Sequence, residues 1–144
     1  MNPKIIKKNV GLLFPKHCYL INKICYGIQN EIGTIYKEKD YQKLSYVRFL
    51  NNKIPTKREV LLELKSKEGI SISKFYADFI LWNLIVVEFK VADFIKSDYI
   101  RQVLRYLETA DLPLALIYNF RVRPLKPKRV VNFKCSNIDQ HKNV

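Results

Sequence analysis

The stretch DFILWNLIVVEFK, residues 78–90, decides the fold that the sequence predicts. Its second half is apolar and rich in β-branched side chains, which is typical of a strand buried in the middle of a sheet. Residues 82–84 are predicted to form a three-residue hairpin loop centred on Asn83. Asp78 and Glu88 are equally distant from Asn83, so this loop sets them directly opposite each other. A loop with an even number of residues would direct the two carboxylates to opposite faces of the sheet.

Two charged residues, Glu88 and Lys90, lie on this apolar strand, and their spacing of two points both side chains to the same face. A buried carboxylate without a partner is very costly in free energy, so the pair indicates a metal, a counter-ion or a functional role. Two opposed carboxylates with a lysine beside them form a site for a hard divalent cation. Mg²⁺ commonly uses one or two carboxylates plus substrate phosphate. Taken alone, a Glu-x-Lys on a strand is more often a surface ion pair.

The rest of the chain predicts an α/β fold with a central mixed sheet flanked by helices, in the order α-α-β-β-β-α-β-β. Apolar spacing and the positions of Gly and Pro place helices over about 20–32, 36–51 and from 97, and strands over 59–64, 70–81, 84–91, 113–120 and 128–134. In the second helix, Tyr41, Leu44, Val47 and Leu50 recur every three residues and are predicted to form its buried side.

The composition favours one folded domain with a polyanionic partner. The chain has 144 residues, with 26 Lys and Arg against 13 Asp and Glu, and a net charge of +13. Hydrophobic residues make up 48% of it, enough for a core rather than a disordered basic tail. We expect a single domain over residues 1–144, with a core at about 17–134 and loose ends. The basic surplus favours nucleic acid, while an anionic membrane surface and plain solubility are the alternatives.

Several other classes of protein are disfavoured. The apolar stretches at 79–87 and 112–117 are far shorter than the ~20 residues of a bilayer helix, so no membrane span is expected. Residues 10–14 are too short an apolar run for a secretory signal, and we expect a cytoplasmic protein. The three cysteines cannot supply four ligands at any usual zinc spacing, even with a neighbouring histidine.

Two motifs around the acidic residues point to a known family. Asp78 followed by EFK at 88–90 resembles the pattern of the PD-(D/E)XK nucleases. The segment GTIYKEKDY at 33–41 is similar to the signature of the small bacterial GxxExxY proteins, which belong to that superfamily. One position departs from that signature, because Ile35 stands where the motif has glycine, three residues before Glu38.

The resemblance extends over roughly residues 20–133. Its later parts are QVLRYL at 102–107, LIYNF at 116–120 and KRVV at 128–131, which are similar to a helix and the closing strands of the GxxExxY proteins. The resemblance implies a restriction-endonuclease-like core and a nuclease that depends on Mg²⁺ or Mn²⁺. A divalent metal makes water nucleophilic and neutralises the charge that develops during phosphodiester hydrolysis.

The resemblance also implies a role for each matching residue. The catalytic residues would be Glu38, Asp78, Glu88, Lys90 and Gln102, with Tyr41 and Tyr106 in support of the site. Of these, Asp78, Glu88 and Glu38 would bind the metal. Lys90 would stabilise charge on the scissile phosphate or help to orient the attacking water, and Gln102 would reach the site from the third helix.

A basic run free of acidic residues lies near the C-terminal end. Its residues predicted to bind nucleic acid are Arg121, Arg123, Lys126, Lys128 and Arg129. A phosphate backbone beside a metal site would lie along such an edge, although a solvated basic surface is the simpler alternative.

Four aromatic residues can be interpreted either as base-stacking residues beside a basic groove or as core residues. They are Tyr99, Tyr106, Tyr118 and Phe120. For Tyr118 and Phe120 we favour the core.

The sequence leaves three hypotheses. The first is a Mg²⁺-dependent nuclease that hydrolyses phosphodiester bonds, with DNA rather than RNA as the expected substrate. A homodimer is plausible for it, because cutting both strands of a duplex needs two sites. The second is a non-catalytic nucleic-acid-binding module on the same fold. The third is an interaction or scaffold protein whose charge serves only solubility.

Overall fold

The computed structural model describes residues 13–141 and confirms the predicted fold class and element order. The helices are α1 (Pro15–Ile32), α2 (Glu38–Asn51) and α3 (Ser97–Ala110). The strands are β1 (Thr56–Lys65), β2 (Ser71–Leu81), β3 (Ile85–Lys90), β4 (Leu114–Asn119) and β5 (Lys128–Val131), and a 3-10 helix follows at Ile138–His141. In the part of the chain described, no helix is long and apolar enough to cross a bilayer.

The five strands form one mixed sheet in the order β1-β2-β3-β4-β5. Every neighbouring pair is antiparallel except β3 and β4, which run parallel because α3 crosses over between them. The predicted hairpin is confirmed, since Phe79 pairs with Val87 and Leu81 with Ile85, which centres the loop on Asn83. The stretch that was decisive in the sequence therefore lies in the middle of the sheet.

The sheet is covered on both faces, which explains why its central strands are apolar at successive positions. Val87 of β3 and Leu116 of β4 pack with α1 and α2 in one core layer. Val86 and Ile117 face the opposite way and pack with α3 in a second layer. Tyr118 is fully buried in the first layer, as favoured from the sequence, and so is Phe120 just beyond β4. Along β3, Glu88 and Lys90 follow Val86 at steps of two residues. They therefore point to the same face as Val86, the face covered by α3.

The predicted buried side of α2 is confirmed for Tyr41 and Leu44, which pack in the core, and is wrong for Val47 and Leu50. The buried residues are Tyr41, Ser45 and Phe49, whereas Val47 and Leu50 are 49% and 46% exposed. A helix turns about 100° per residue, so steps of three fall about 60° short of a full turn. After three such steps, Leu50 lies on the side of the helix opposite Tyr41. Steps of four residues, which lead from Tyr41 to Ser45 and Phe49, remain close to the side that faces the sheet.

The packed region extends past the predicted core limits of 17 and 134. Leu13 and Phe14 are 1% exposed, and Cys135 is 6% exposed beneath the C-terminal turn. Residues 1–12 and 142–144, on which the expectation of loose ends largely rests, lie outside the described residues.

The corrected orientation of α2 predicts different costs for two adjacent substitutions. Phe49→Ala removes a fully buried ring and should lower the free energy of unfolding by about 3–5 kcal/mol. Leu50→Ala should change it by less than about 1 kcal/mol, because that side chain is half exposed. Urea unfolding followed by circular dichroism measures both. A larger loss for Leu50→Ala than for Phe49→Ala would contradict the orientation described here.

Candidate active site

Asp78 and Glu88 face each other where the backbone ladder between β2 and β3 ends. The last paired residues are Phe79 and Val87. At the next position the backbone N–H of Asp78 donates to Oε1 of Glu88 at 2.9 Å, and the N–H of Phe89 donates to Oδ2 of Asp78 at 2.8 Å. Each carboxylate thus accepts a hydrogen bond from the strand opposite, and these two bonds fix the positions of both side chains. We call Asp78 and Glu88 the carboxylate pair.

The carboxylate pair lies in an environment that disfavours two negative charges. Glu88 is only 3% exposed, and burial followed by the charge of Asp78 raises its pKa well above the ordinary value. Burial also raises the pKa of Asp78, although the hydrogen bond from Phe89 opposes that rise. The repulsion would be relieved by a proton or by a cation bound between the two groups.

Tyr99 on α3 completes the hydrogen bonding of Glu88. Its hydroxyl donates to Oε2 of Glu88 at 3.0 Å, and burial raises the pKa of this hydroxyl, which keeps it a neutral donor. The sequence did not single out this role, since Tyr99 could equally be a core or a stacking residue. One available signal was its spacing, because Tyr99 precedes Gln102 by three residues and so shares its side of the helix.

Lys90 brings a positive charge to the same face. Its Nζ lies 4.0 Å from the centroid of the Tyr99 ring, a cation–π contact that holds the ammonium group beside the site. The charge of Lys90 acts to lower the pKa of Asp78. Lys90 and Tyr99 also line a cavity of about 270 Å³, so this cavity adjoins the carboxylate pair through Tyr99, whose hydroxyl is bound to Glu88.

Glu38, the third predicted metal ligand, enters from the first turn of α2. Its Oε1 accepts a hydrogen bond of 3.3 Å from the backbone N–H of Val91, just past the end of β3. The charge of Glu38 contributes to the raised pKa of Asp78. Nevertheless, within residues 13–141 no group of three or more Asp, Glu, His or Cys side chains is arranged to hold a metal ion. Glu38 thus influences the carboxylate pair electrostatically without joining it in a preformed cluster.

Tyr41 supports the segment that leads to Glu38. Its hydroxyl donates to the carbonyl oxygen of Gly33 at 2.6 Å and accepts a hydrogen bond of 3.4 Å from the N–H of Tyr36. Its ring stacks on Phe120 at 4.2 Å between centroids. The first and last residues of the signature-like segment at 33–41 are therefore joined directly, and Gly33 ends α1 with a positive φ of 83°.

Gln102 and Tyr106, the other predicted residues of α3, lie further from the carboxylates. The Gln102 side chain is half-buried, and in the described chain its amide makes no hydrogen bond to either member of the carboxylate pair. The Tyr106 hydroxyl is hydrogen-bonded to the hydroxyl of Ser73, and its ring stacks on Phe75 at 4.8 Å. Tyr106 therefore anchors α3 to β2, about two helical turns beyond Tyr99.

The five basic residues predicted to bind nucleic acid do not form one surface. Arg129 donates to the carbonyl oxygen of Leu13 at 3.2 Å, and Arg123 donates to the carbonyl of Gln29 at 3.3 Å, so both are tied to the α1 side. Arg121 is exposed and forms an ion pair with Asp93 at 3.3 Å. The two lysines lie on the α3 side, where both line a cavity of about 350 Å³ near the site; they are Lys126 and Lys128.

The oxygen donors of the carboxylate pair fit the needs of a divalent cation. Mg²⁺ requires few protein ligands, since it retains several waters and binds substrate phosphate directly. Two carboxylates held rigidly, with raised pKa values and a nearby carboxylate in Glu38, fit such an ion. Mg²⁺ and Mn²⁺ both favour such oxygen ligands.

Comparison with known proteins gives one match. Residues 15–133 match the family model of the PD-(D/E)XK nuclease superfamily. The matched range includes both strands of the carboxylate pair, all three helices and β5. No curated protein and no solved structure matches the chain.

The raised pKa of Glu88 predicts how stability depends on pH without metal. An acid whose pKa is higher in the folded protein releases its proton more reluctantly there, so folding stability falls as pH rises above the unfolded value near 4.5. Glu88→Gln removes this penalty and should stabilise the protein at pH 8 relative to wild type. The gain should grow as the pH rises from 5 to 8, because the unfolded chain releases this proton more readily than the folded protein does.

Urea unfolding in EDTA at pH 5 and pH 8 measures this difference, which should be small at the lower pH. Glu63→Gln is the matched control, because a hydrogen bond from Ser71 lowers the pKa of Glu63 and its neutralisation should bring no gain. A Glu88→Gln protein less stable than wild type at pH 8 would contradict the interpretation of the carboxylate pair.

Proposed function

Because the chain belongs to the PD-(D/E)XK nuclease superfamily, we propose that it is a Mg²⁺-dependent nuclease that hydrolyses phosphodiester bonds in DNA. One observation carries this proposal, namely the carboxylate pair fixed across β2 and β3 with the Lys90 ammonium beside it. Two like charges buried together lower the stability of a fold, and such pairs are characteristic of functional sites. A divalent cation held by Asp78 and Glu88 would offset both charges.

In this proposal Asp78 and Glu88 hold Mg²⁺ or Mn²⁺, and Glu38 acts from the adjacent turn of α2. The ion, when bound, makes a water molecule nucleophilic and neutralises charge on the scissile phosphate. The protein orients the two carboxylates that would hold the ion. The Phe89 N–H holds one oxygen of Asp78, and the Tyr99 hydroxyl holds one oxygen of Glu88.

Lys90 has a separate task in the proposed reaction. Its ammonium group is held against the Tyr99 ring, close enough to Asp78 to affect its pKa, and can donate a hydrogen bond to a phosphate oxygen. A fixed positive charge in a partly buried position stabilises negative charge that develops on the phosphate in the transition state. Gln102 lies on the same side of α3 as Tyr99, and a role for it in contacting substrate stays a prediction from the sequence.

The finer assignments are also part of the proposal. We assign the chain to the GxxExxY proteins on the segment at 33–41, where Tyr41 is hydrogen-bonded to Gly33 and Glu38 lies at the start of α2. DNA rather than RNA, a homodimer and a cytoplasmic location stay predictions. The net charge of +13 supports a polyanionic substrate.

Nuclease activity can be tested with purified protein and fluorescently labelled DNA. Wild type should cleave DNA with Mg²⁺ or Mn²⁺ but not with EDTA. Asp78→Asn and Glu88→Gln should each lower the rate at least about a hundredfold, since each removes charge from the site that holds the metal. Glu63→Gln should cleave at the wild-type rate, because that residue forms its ion pairs with Lys65 and Lys74 on the distant part of the β1–β2 hairpin.

A metal-dependent shift in melting temperature provides a readout apart from catalysis. Mg²⁺ should raise the melting temperature of wild type and of Glu63→Gln, but not that of Glu88→Gln. If the Asp78→Asn and Glu88→Gln variants both still cleave DNA at the wild-type rate, the proposal is wrong. Salt-sensitive DNA binding with no cleavage and no Mg²⁺ effect in wild type would instead support a non-catalytic nucleic-acid-binding module.

Lys126 and Lys128 line a cavity near the site, whereas Arg129 is hydrogen-bonded within the fold. Substitutions of these residues should therefore change the salt dependence of DNA binding to different extents. Lys126→Ala and Lys128→Ala should each weaken binding and reduce the slope of log K against log salt by about 1, as expected for the loss of a phosphate contact. Arg129→Ala should leave the slope unchanged and lower the melting temperature, since its guanidinium is bound to Leu13 and Cys18. Fluorescence anisotropy titrations in EDTA at four salt concentrations measure the slopes, and equal slopes for all three variants would contradict the prediction.

A further inference from the structure

The loop at 91–96, between β3 and α3, is anchored at its base yet displays a large apolar side chain. Asn119 accepts a hydrogen bond from the Ala92 N–H at 3.2 Å and donates one to the Ala92 carbonyl at 2.7 Å. The Val91 N–H is bound to Glu38. Phe94, two residues further along, is nevertheless 67% exposed. The loop is therefore held in place while the Phe94 ring stays open to solvent.

Phe94 stands between two cavities beside the proposed catalytic site. The first, of about 270 Å³, is lined by Lys90, Ala92, Phe94, Ile95, Lys96 and Tyr99, and we call it the Phe94 cavity. The second, of about 350 Å³, contains Lys126 and Lys128 and also borders Phe94. The walls of the first cavity are mainly apolar or aromatic, with lysines at Lys90 and Lys96. Apolar and aromatic lining residues together with two lysines match the chemistry of a nucleotide, which has a flat base and an anionic phosphate.

The two aromatic rings of the Phe94 cavity are not equivalent. The Tyr99 ring is covered by the Lys90 ammonium, and its hydroxyl is bound to Glu88. Phe94 makes no ring contact within residues 13–141 and so is the ring that is free to stack with a base. Lys90 belongs both to the cavity wall and to the site, so a nucleotide placed here has its phosphate near the carboxylate pair.

On the basis of the proposed function, we propose that the Phe94 cavity binds an unpaired nucleobase next to the scissile phosphate, so that the protein prefers single-stranded or locally unpaired DNA. A base within a duplex is stacked on both faces and paired at its edge, and must leave the helix to enter such a cavity. An unpaired base enters without that cost. The strand on the other side of Phe94 then runs towards Lys126 and Lys128.

The proposal is tested by equilibrium binding in EDTA, which does not depend on cleavage. The probes are a single-stranded oligonucleotide, the corresponding blunt duplex, and the same duplex with one unpaired bulged base, each followed by fluorescence anisotropy. Wild type should bind the two probes that contain unpaired bases more tightly than the blunt duplex. Phe94→Ala should weaken binding to those two probes at least about fivefold, the lower end of the range for loss of a stacked base. Its affinity for the blunt duplex should change less than twofold.

Two further variants separate stacking from general effects. Phe94→Trp retains a stacking ring and should bind all three probes as wild type does. Phe133→Ala is the matched control, because Phe133 is also partly exposed, at 46%, but lies after β5 and away from both cavities. It should bind like wild type. Circular dichroism verifies that each variant is folded.

The outcomes distinguish this inference from the proposed nuclease activity. Equal losses on all three probes, no loss for Phe94→Ala, or no DNA binding by wild type would each overturn the inference. Cleavage of DNA by wild type with Mg²⁺ would still support the proposed function in those cases. If wild type cleaves nothing but Phe94→Ala loses affinity for unpaired bases alone, the nuclease proposal fails and the base-binding cavity stands.

Discussion

Two carboxylates meet where the β2–β3 ladder stops, and each accepts a backbone N–H from the strand opposite. The hydrogen bonds from Asp78 to Glu88 and from Phe89 to Asp78 take the place that a further pair of backbone bonds would have in a regular sheet. They hold two like charges together that would otherwise separate into solvent. The rest of the site follows from this constraint, because Tyr99, Lys90 and Glu38 act on groups whose positions are already fixed.

The two-sided sheet makes this arrangement stable enough to persist. Phe89 lies between Glu88 and Lys90 and packs into the layer of α1 and α2, while its charged neighbours face α3. Reversing Glu88 to the other face would require the whole strand to slip by one residue, which would take Phe89 out of the α1 and α2 layer and place Glu88 and Lys90 in that apolar layer instead. The energy of the apolar layer thus opposes any rearrangement that would relieve the repulsion within the carboxylate pair.

Much of this could be predicted from the sequence, and the parts that could not share a physical cause. The register of β2 and β3 could be predicted from the three-residue loop centred on Asn83, because a strand has only two faces and a short loop has few geometries. The buried side of a helix is harder to predict, since the helical period is not a whole number of residues. For this reason Leu50 of α2 was predicted to be buried but is half exposed. The hydrogen bond from Tyr99 to Glu88 depends on the rotation of α3 and on the distance between layers. The attachment of Arg129 to Leu13 joins residues from the two ends of the fold, which no local pattern contains.

The charge of the whole molecule and the charge of the site have opposite signs, and distance explains how both persist. At physiological ionic strength exposed charges separated by more than about 8 Å are largely screened from each other, so the surplus of +13 cannot compensate a buried acidic pair. Lys90 is the nearby cation, and its contact with Tyr99 keeps it at the edge of the pair rather than between the two carboxylates. A phosphate drawn in by the basic surface would add a further negative charge to this region. On the proposed function, metal and phosphate therefore bind with positive coupling, since the divalent cation offsets both the carboxylate pair and the incoming phosphate, and each ligand lowers the electrostatic cost of the other.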